Sequence, residues 1–245
     1  MVEATELNKN VDESLISEMM EAGLHYGHTR TKTNPKMKPY IAATRNNVEL
    51  IDLNQTISSL ERVINFLKEK RSSGGLMLFV GIQPAARELI EALAKKFEYP
   101  YVTNRWLGGT LTNFKIIQKR LDYFKKLRQD KETGALEKYT KKERLRLGQK
   151  LEKMGLVFNG LESLTKLPDA VFVVNANLHV NAVREAKKLG IPVIGIVSTD
   201  IDPNVVDFVI PANDNSKSSL TWILSRVEKE LSAVTPMVKK SEEKE

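Results

Sequence analysis

A doubly wound α/β fold interrupted by an inserted helical hairpin follows from three features of the sequence. Apolar segments of strand length alternate with amphipathic segments of helix length on both sides of the chain's middle. That alternation stops between residues 111 and 158, where apolar residues recur at the three- and four-residue spacing of paired helices. Strands alternating with helices specify a parallel sheet covered on both faces, and two helical seams joined by a turn specify an αα-hairpin.

Each element has its own local cause. Leu15, Ile16, Met19 and Met20 give residues 14–22 helical spacing, ended by Gly23. Residues 25–39 lack apolar periodicity, hold two prolines and read as an extended loop. Residues 40–43 and 48–53 read as short strands, and Ile57, Leu60, Val63, Ile64 and Leu67 make 55–70 a helix. The run 76–82 is apolar throughout, as in a strand buried on both faces. Pro84 then opens a helix at its first turn, where a missing N–H costs nothing. Residues 99–102, 170–174, 191–197 and 207–210 supply the remaining strands, and 180–189 and 218–234 the remaining helices. Gly190 and Pro192 punctuate a helix-to-strand turn.

In the interruption, Phe114, Ile117, Leu121 and Phe124 form one seam, and Leu147, Leu151, Met154 and Phe158 the other. Gly134 supplies the turn, and Thr140 with Glu143 three residues later forms a capping box that starts the second helix. The expected organisation is a discontinuous α/β domain (1–110 and 159–234), an inserted coiled-coil hairpin (111–158) and a disordered polar tail (235–245).

The charge is unevenly placed. The chain carries 38 Lys and Arg against 31 Asp and Glu, a net of +7. Residues 115–153 hold fourteen of those cations and six of the acids, so this one segment carries +8 and the remainder −1. A second run, Arg30, Lys32, Lys36, Lys38 and Arg45, contains no acid. A merely solvated helix face would show balanced charges with acids a turn ahead of bases. Instead Lys119-Arg120, Lys125-Lys126 and Lys141-Lys142-x-Arg144-x-Arg146 stand largely unmatched, the pattern of a nucleic-acid-binding surface.

Other chemistry finds little support. There are no cysteines, which excludes disulfides, thiolate nucleophiles and Cys-based zinc sites. Gly81 is followed by Ile-Gln-Pro, and Gly108-Gly109 fits neither phosphate-binding glycine pattern. No Gly-x-Ser-x-Gly elbow is present. His25 and His28 form an HxxH pair, but His179 is the only other histidine, and the expected role is local hydrogen bonding rather than metal ligation. Asp200 and Asp202 read as turn residues around Pro203 and are given no catalytic role. No cofactor and no small-molecule substrate are expected. The polar, acidic N-terminus and the lack of a long apolar run point to a cytoplasmic protein.

Four blocks carry a family resemblance: EAGLHYGHTRTKTNPKMKPY at 21–40, RNNVELIDLNQT at 45–56, VTNRWLGGTLTNF at 102–114, and the long run from Pro168 to Asn215. In this order they resemble the bacterial small-subunit ribosomal protein two family over residues 14–230. The resemblance implies a flavodoxin-like sheet bearing a coiled-coil arm and a non-catalytic role in the small ribosomal subunit. Its implied partners are small-subunit ribosomal RNA and neighbouring ribosomal proteins, including the large mRNA-binding ribosomal protein numbered one. Arg30, Lys32, Lys36 and Lys38 match the family's basic loop, and Arg105 and Trp106 its RWLGGTLTN block. With Arg45 and the hairpin cations Lys115, Lys119, Arg120, Lys125, Lys126, Lys141, Lys142 and Arg144, these basic residues form the expected RNA-binding set. The chain departs from the family at Asn175–His179 and at Ser198, where relatives usually carry acids.

Overall fold

The structure is a computed structural model that describes residues 13–235. The expected tail, apart from Thr235, lies outside those residues. After a helical segment at 13–21 (α1), the chain forms β1 (Tyr26–Thr29), β2 (Ile41–Arg45) and β3 (Val48–Ile51). Then follow α2 (Leu53–Ser72), β4 (Met77–Val80), α3 (Pro84–Lys96) and β5 (Tyr101–Val102). The hairpin helices are α4 (Phe114–Glu132) and α5 (Lys141–Phe158). The chain closes with β6 (Ala170–Val174), α6 (Val180–Lys188), β7 (Val193–Val197), β8 (Phe208–Pro211) and α7 (Lys217–Ser232).

Five strands pair in parallel in the order β5-β4-β6-β7-β8. Counted from β4, this is the 2-1-3-4-5 order of the flavodoxin-like sheet, with its switch point between β4 and β6. Strand alternation divides the core between two faces. Met77 and Phe79 of β4 pack with α2, α3 and α7, whereas Leu78 and Val80 pack with α4, α6 and Met37. All four are buried, which is why the run reads as continuously apolar rather than alternating.

The local signals act as their chemistry requires. Pro84 sits in the first turn of α3, and Gly134 and Gly190 take left-handed conformations at φ 73° and 68°. Thr140 and Glu143 form the complete capping box, with Thr140 N–H donating to Glu143 Oε2 at 3.0 Å. Asp52 caps α2 through the Asn54 N–H.

Two sequence expectations are altered by long-range contacts. Residues 25–39 are not wholly loop, because β1 pairs antiparallel with β3 in a three-stranded sheet ordered β1-β3-β2. The strand is held from 171 residues away, where His28 N–H donates to Thr199 Oγ1 at 2.8 Å, and the segment after it by Asn34 N–H donating to Thr199 O at 2.8 Å. A Cβ on Gly27 would lie 2.5 Å from the Thr199 methyl, so only glycine permits this approach. The hairpin seam is also asymmetric. On α4, Ile117, Leu121, Phe124 and Leu127 are buried, while on α5 only Phe158 is, and Leu147, Leu151 and Met154 are half-buried. The cause is the rest of the fold. Ile117, Leu121 and Phe124 belong to the core cluster of the sheet's second face, so that layer claims the face that a free arm would give to its partner helix.

Candidate nucleic-acid interface

All fourteen basic residues singled out from the sequence are exposed. Two of them have partners within the protein. Lys36 Nζ donates to Asp202 Oδ2 at 2.6 Å, and Lys125 Nζ to the Glu162 carbonyl at 2.9 Å. Among the described residues, the side chains of Arg30, Lys32, Lys38, Arg45, Arg105, Lys115, Lys119, Arg120, Lys126, Lys141, Lys142 and Arg144 make no ion pair or hydrogen bond. Arg128, in the same basic segment, differs. It pairs with Glu162 at 2.6 Å, donates to Asn159 and lies 4.6 Å from the Phe124 ring centroid, so it ties α4 to the returning chain.

The start of α5 concentrates charge against its own helix. Lys141, Lys142 and Arg144 occupy its first turn beside Thr140, at the positive end of the helix dipole, with Glu143 as the one acid there. Cations at that end are unfavourable in the isolated chain, and an external polyanion removes the penalty.

Both basic segments are anchored in the α/β domain. The 30–38 segment is fastened to the loop after β7 by Thr199 and Asp202. The hairpin follows the segment that leaves β5, and Met37 shares a core cluster with Leu111, Ile117, Leu121 and Phe124. One apolar cluster therefore supports the roots of both cationic surfaces.

Sequence reasoning missed the residue that shapes the hairpin root. Glu185 Oε1 accepts from Trp106 Nε1 at 3.0 Å and the Gly109 N–H at 2.8 Å. Its Oε2 accepts from the Leu111 N–H, the Thr112 N–H and the Thr112 hydroxyl at 2.9, 3.1 and 3.2 Å. Burial pushes this carboxyl upward, but the donors outweigh it and hold its pKa below the ordinary value. Trp106 is thus a packed, hydrogen-bonded support, while its neighbour Arg105 remains exposed. A charge on an amphipathic helix such as α6 gives no sequence signal of a partner more than seventy residues away.

The sheet's switch point, where doubly wound proteins place ligands, is occupied by the chain itself. His179 is buried; its Nε2 accepts the Ile82 N–H at 3.1 Å, and its Nδ1 lies 2.7 Å from Asn175 O. Those partners require a neutral ring with the proton on Nδ1, and burial lowers its pKa accordingly. Gln83 Nε2 donates to Asp214 O, tying the entrance of α3 to the segment after β8. At the start of α3, Pro84 supplies no N–H, and the Ile82 N–H just before it is engaged by His179.

A polar cluster joins β1 to the β7 and β8 ends. His28 Nδ1 lies 3.0 Å from Ser198 Oγ and 3.5 Å from Asp200 Oδ1, and Asn215 Nδ2 donates to Asp214 Oδ1 at 2.9 Å. Among the described residues no three His, Asp or Glu side chains converge as a metal-ion site. Asp214 is fully buried, with Oδ2 unpartnered. Burial, reinforced by the Asp200 charge, pushes its pKa up to about 7. A carboxyl raised from 3.8 binds its proton more tightly in the folded chain than in the unfolded one. Its contribution to stability therefore falls as pH rises from about 4 to about 7, and stays low above that. Asp214→Asn should accordingly be more stable than the parent at pH 8, by up to about 4 kcal/mol, with the gain vanishing near pH 4. Urea midpoints at the two pH values measure it.

These features define a class of protein: a doubly wound α/β scaffold whose switch point is bridged by its own His179 and Gln83 hydrogen bonds and which bears two exposed cationic segments. The family model described as "Ribosomal protein S2" matches residues 19–233. A "Small ribosomal subunit protein uS2" from Dictyoglomus thermophilum is 44% identical over 213 residues, covering 87% of each chain. Those from Thermus thermophilus and Deinococcus radiodurans are 43% and 41% identical, covering 87% and 86% of this chain and 84% and 80% of their own. The chain belongs to the ribosomal protein S2 family. The relatives it matches are named as proteins of the small ribosomal subunit. Among its described residues no helix is long and apolar enough to cross a membrane.

Proposed function

We propose that the chain is a constituent of the small ribosomal subunit that binds small-subunit ribosomal RNA through two surfaces, the 30–45 segment and the α4–α5 hairpin. The observation that carries this reading is the unneutralised charge. Eleven exposed cations that have no internal partner among the described residues stand on two outgrowths with a common apolar root, and a twelfth, Arg105, lies on the segment leading into the hairpin. Phosphate groups neutralise such charge and release condensed counterions on doing so. Folded RNA is gripped in this way by shape and backbone, without base reading by lysines.

The α/β domain (residues 1–110 and 159–234) acts as a rigid base, and 111–158 as the inserted arm. Neighbouring ribosomal proteins, including the large mRNA-binding protein numbered one, dock on the faces that RNA leaves free, in the bacterial cytoplasm. The relatives' names support the subunit assignment. Sedimentation of the native chain from a lysate at moderate salt tests it. Co-migration with small ribosomal subunits is expected, and a chain that runs free of them contradicts the reading.

A further inference from the structure

The hairpin carries a groove that simple phosphate contact does not use. It lies between the α4 side chain Arg120 and the α5 side chains Arg146, Lys150 and Lys153, encloses about 430 Å³, and has no acidic residue in its lining. Its floor is apolar, formed by Met154, Val157 and Phe158 of α5 with Leu107. Positions 146, 150 and 153 fall on one helix face by their spacing of four and three. Among the described residues Arg120, Arg146 and Lys153 have no ion-pair partner. Lys150 donates to the Tyr123 hydroxyl at 3.0 Å and lies 4.4 Å from that ring's centroid.

We propose that this groove receives an unstacked nucleotide of RNA, its base on the apolar floor and its flanking phosphates on the cationic rim. This inference rests on the ribosomal-RNA reading and specifies which RNA feature the arm takes. A duplex offers phosphates but keeps its bases stacked, so it would leave the apolar floor facing water. Bulged and looped nucleotides expose a base face that packs on apolar and guanidinium surfaces while the backbone stays anionic. An acidic amphipathic helix would also match an apolar floor with a cationic rim. The +8 charge of residues 115–153, however, extends well beyond the four rim residues. A polynucleotide, with one phosphate per residue on either side of the bound base, neutralises that surplus, and a peptide confined to the groove does not.

The absence of cysteine makes the test direct. Gln149 is exposed and lines the groove, so Gln149→Cys places a single thiol there for a short photo-crosslinker. With the labelled chain assembled into small subunits, primer extension should stop at one dominant unpaired nucleotide. That stop should weaken at least tenfold when Arg120→Gln and Arg146→Gln are added. With the unmodified chain bound, the same nucleotide should lose at least fivefold of its reactivity toward base-specific reagents, relative to subunits lacking the chain. Crosslinks confined to paired RNA overturn the proposal, as does an absence of crosslinks from subunit-bound chain. Crosslinks to a ribosomal protein alone overturn it in favour of an acidic peptide. Each of these leaves the RNA reading standing, whereas an unmodified chain that never enters the subunit removes both.

Discussion

Reversal of Lys126, Lys141, Lys142 and Arg144 to glutamate is expected to release the chain from small ribosomal subunits without unfolding it. The four side chains are exposed and, among the described residues, have no partner to lose. Lys125 is left in place because its ammonium holds the Glu162 carbonyl. Three of the substitutions lie in the first turn of α5, where glutamate suits the helix dipole better than lysine or arginine. The thermal midpoint should therefore hold or rise, and any change should stay within about 5 °C. Affinity for the subunit should fall at least a hundredfold, or about 2.7 kcal/mol, as four attractive phosphate contacts become repulsive. Sedimentation together with a melting curve separates loss of grip from loss of fold. Full retention of the variant would assign the grip to the 30–45 segment instead.

Glu185→Ala is expected to have the largest effect of any single substitution at the hairpin root. It removes the acceptor for one indole N–H, three backbone N–H groups and a hydroxyl at once. Thr112 is exposed and Glu185 itself only half-buried, so water can satisfy part of the deficit. A loss of about 3 kcal/mol remains, or a fall of roughly 10 °C in thermal midpoint for a chain of this size. Glu185→Gln retains an acceptor oxygen and should lose about half as much. Because Trp106 and the 109–112 turn set where α4 begins, the alanine variant should also bind subunits more weakly than its residual folded fraction explains. Calorimetry with co-sedimentation, corrected for the folded fraction, measures both effects.

The parts of this fold that were legible in the sequence are those whose causes are local. Pro84 opens α3 because its ring fixes φ and needs no N–H partner there. Thr140 and Glu143 start α5 because each satisfies the other's backbone. The apolar run at β4 is continuous because helices cover both its faces. What was hidden depended on partners far along the chain. The strand β1 has no alternating pattern, since Gly27 and His28 owe their places to Thr199 and Ser198. Glu185 resembled one more solvated helix charge until the 106–112 segment folded over it. The asymmetric hairpin seam has the same origin, because a heptad-like spacing does not reveal which surface the seam meets.

The candidate site divides in the same way. Charge counting located both basic surfaces, since unpaired like charge is visible in a sequence. It did not separate Lys125, whose ammonium holds the Glu162 carbonyl, from Lys126, which has no partner among the described residues. Nor did it pick out Arg146, Lys150 and Lys153 as one face of a groove, although their spacing carried that information.

The most direct test of the central claim is the affinity of the purified chain for small-subunit ribosomal RNA across a salt series. If unneutralised cations make the contact, log Kd rises linearly with log salt concentration. With six or more phosphate contacts, affinity should fall about a thousandfold between 50 and 200 mM salt. Equal affinity at both ends of the series would mean that the cations of the 30–45 segment and the hairpin are not the grip.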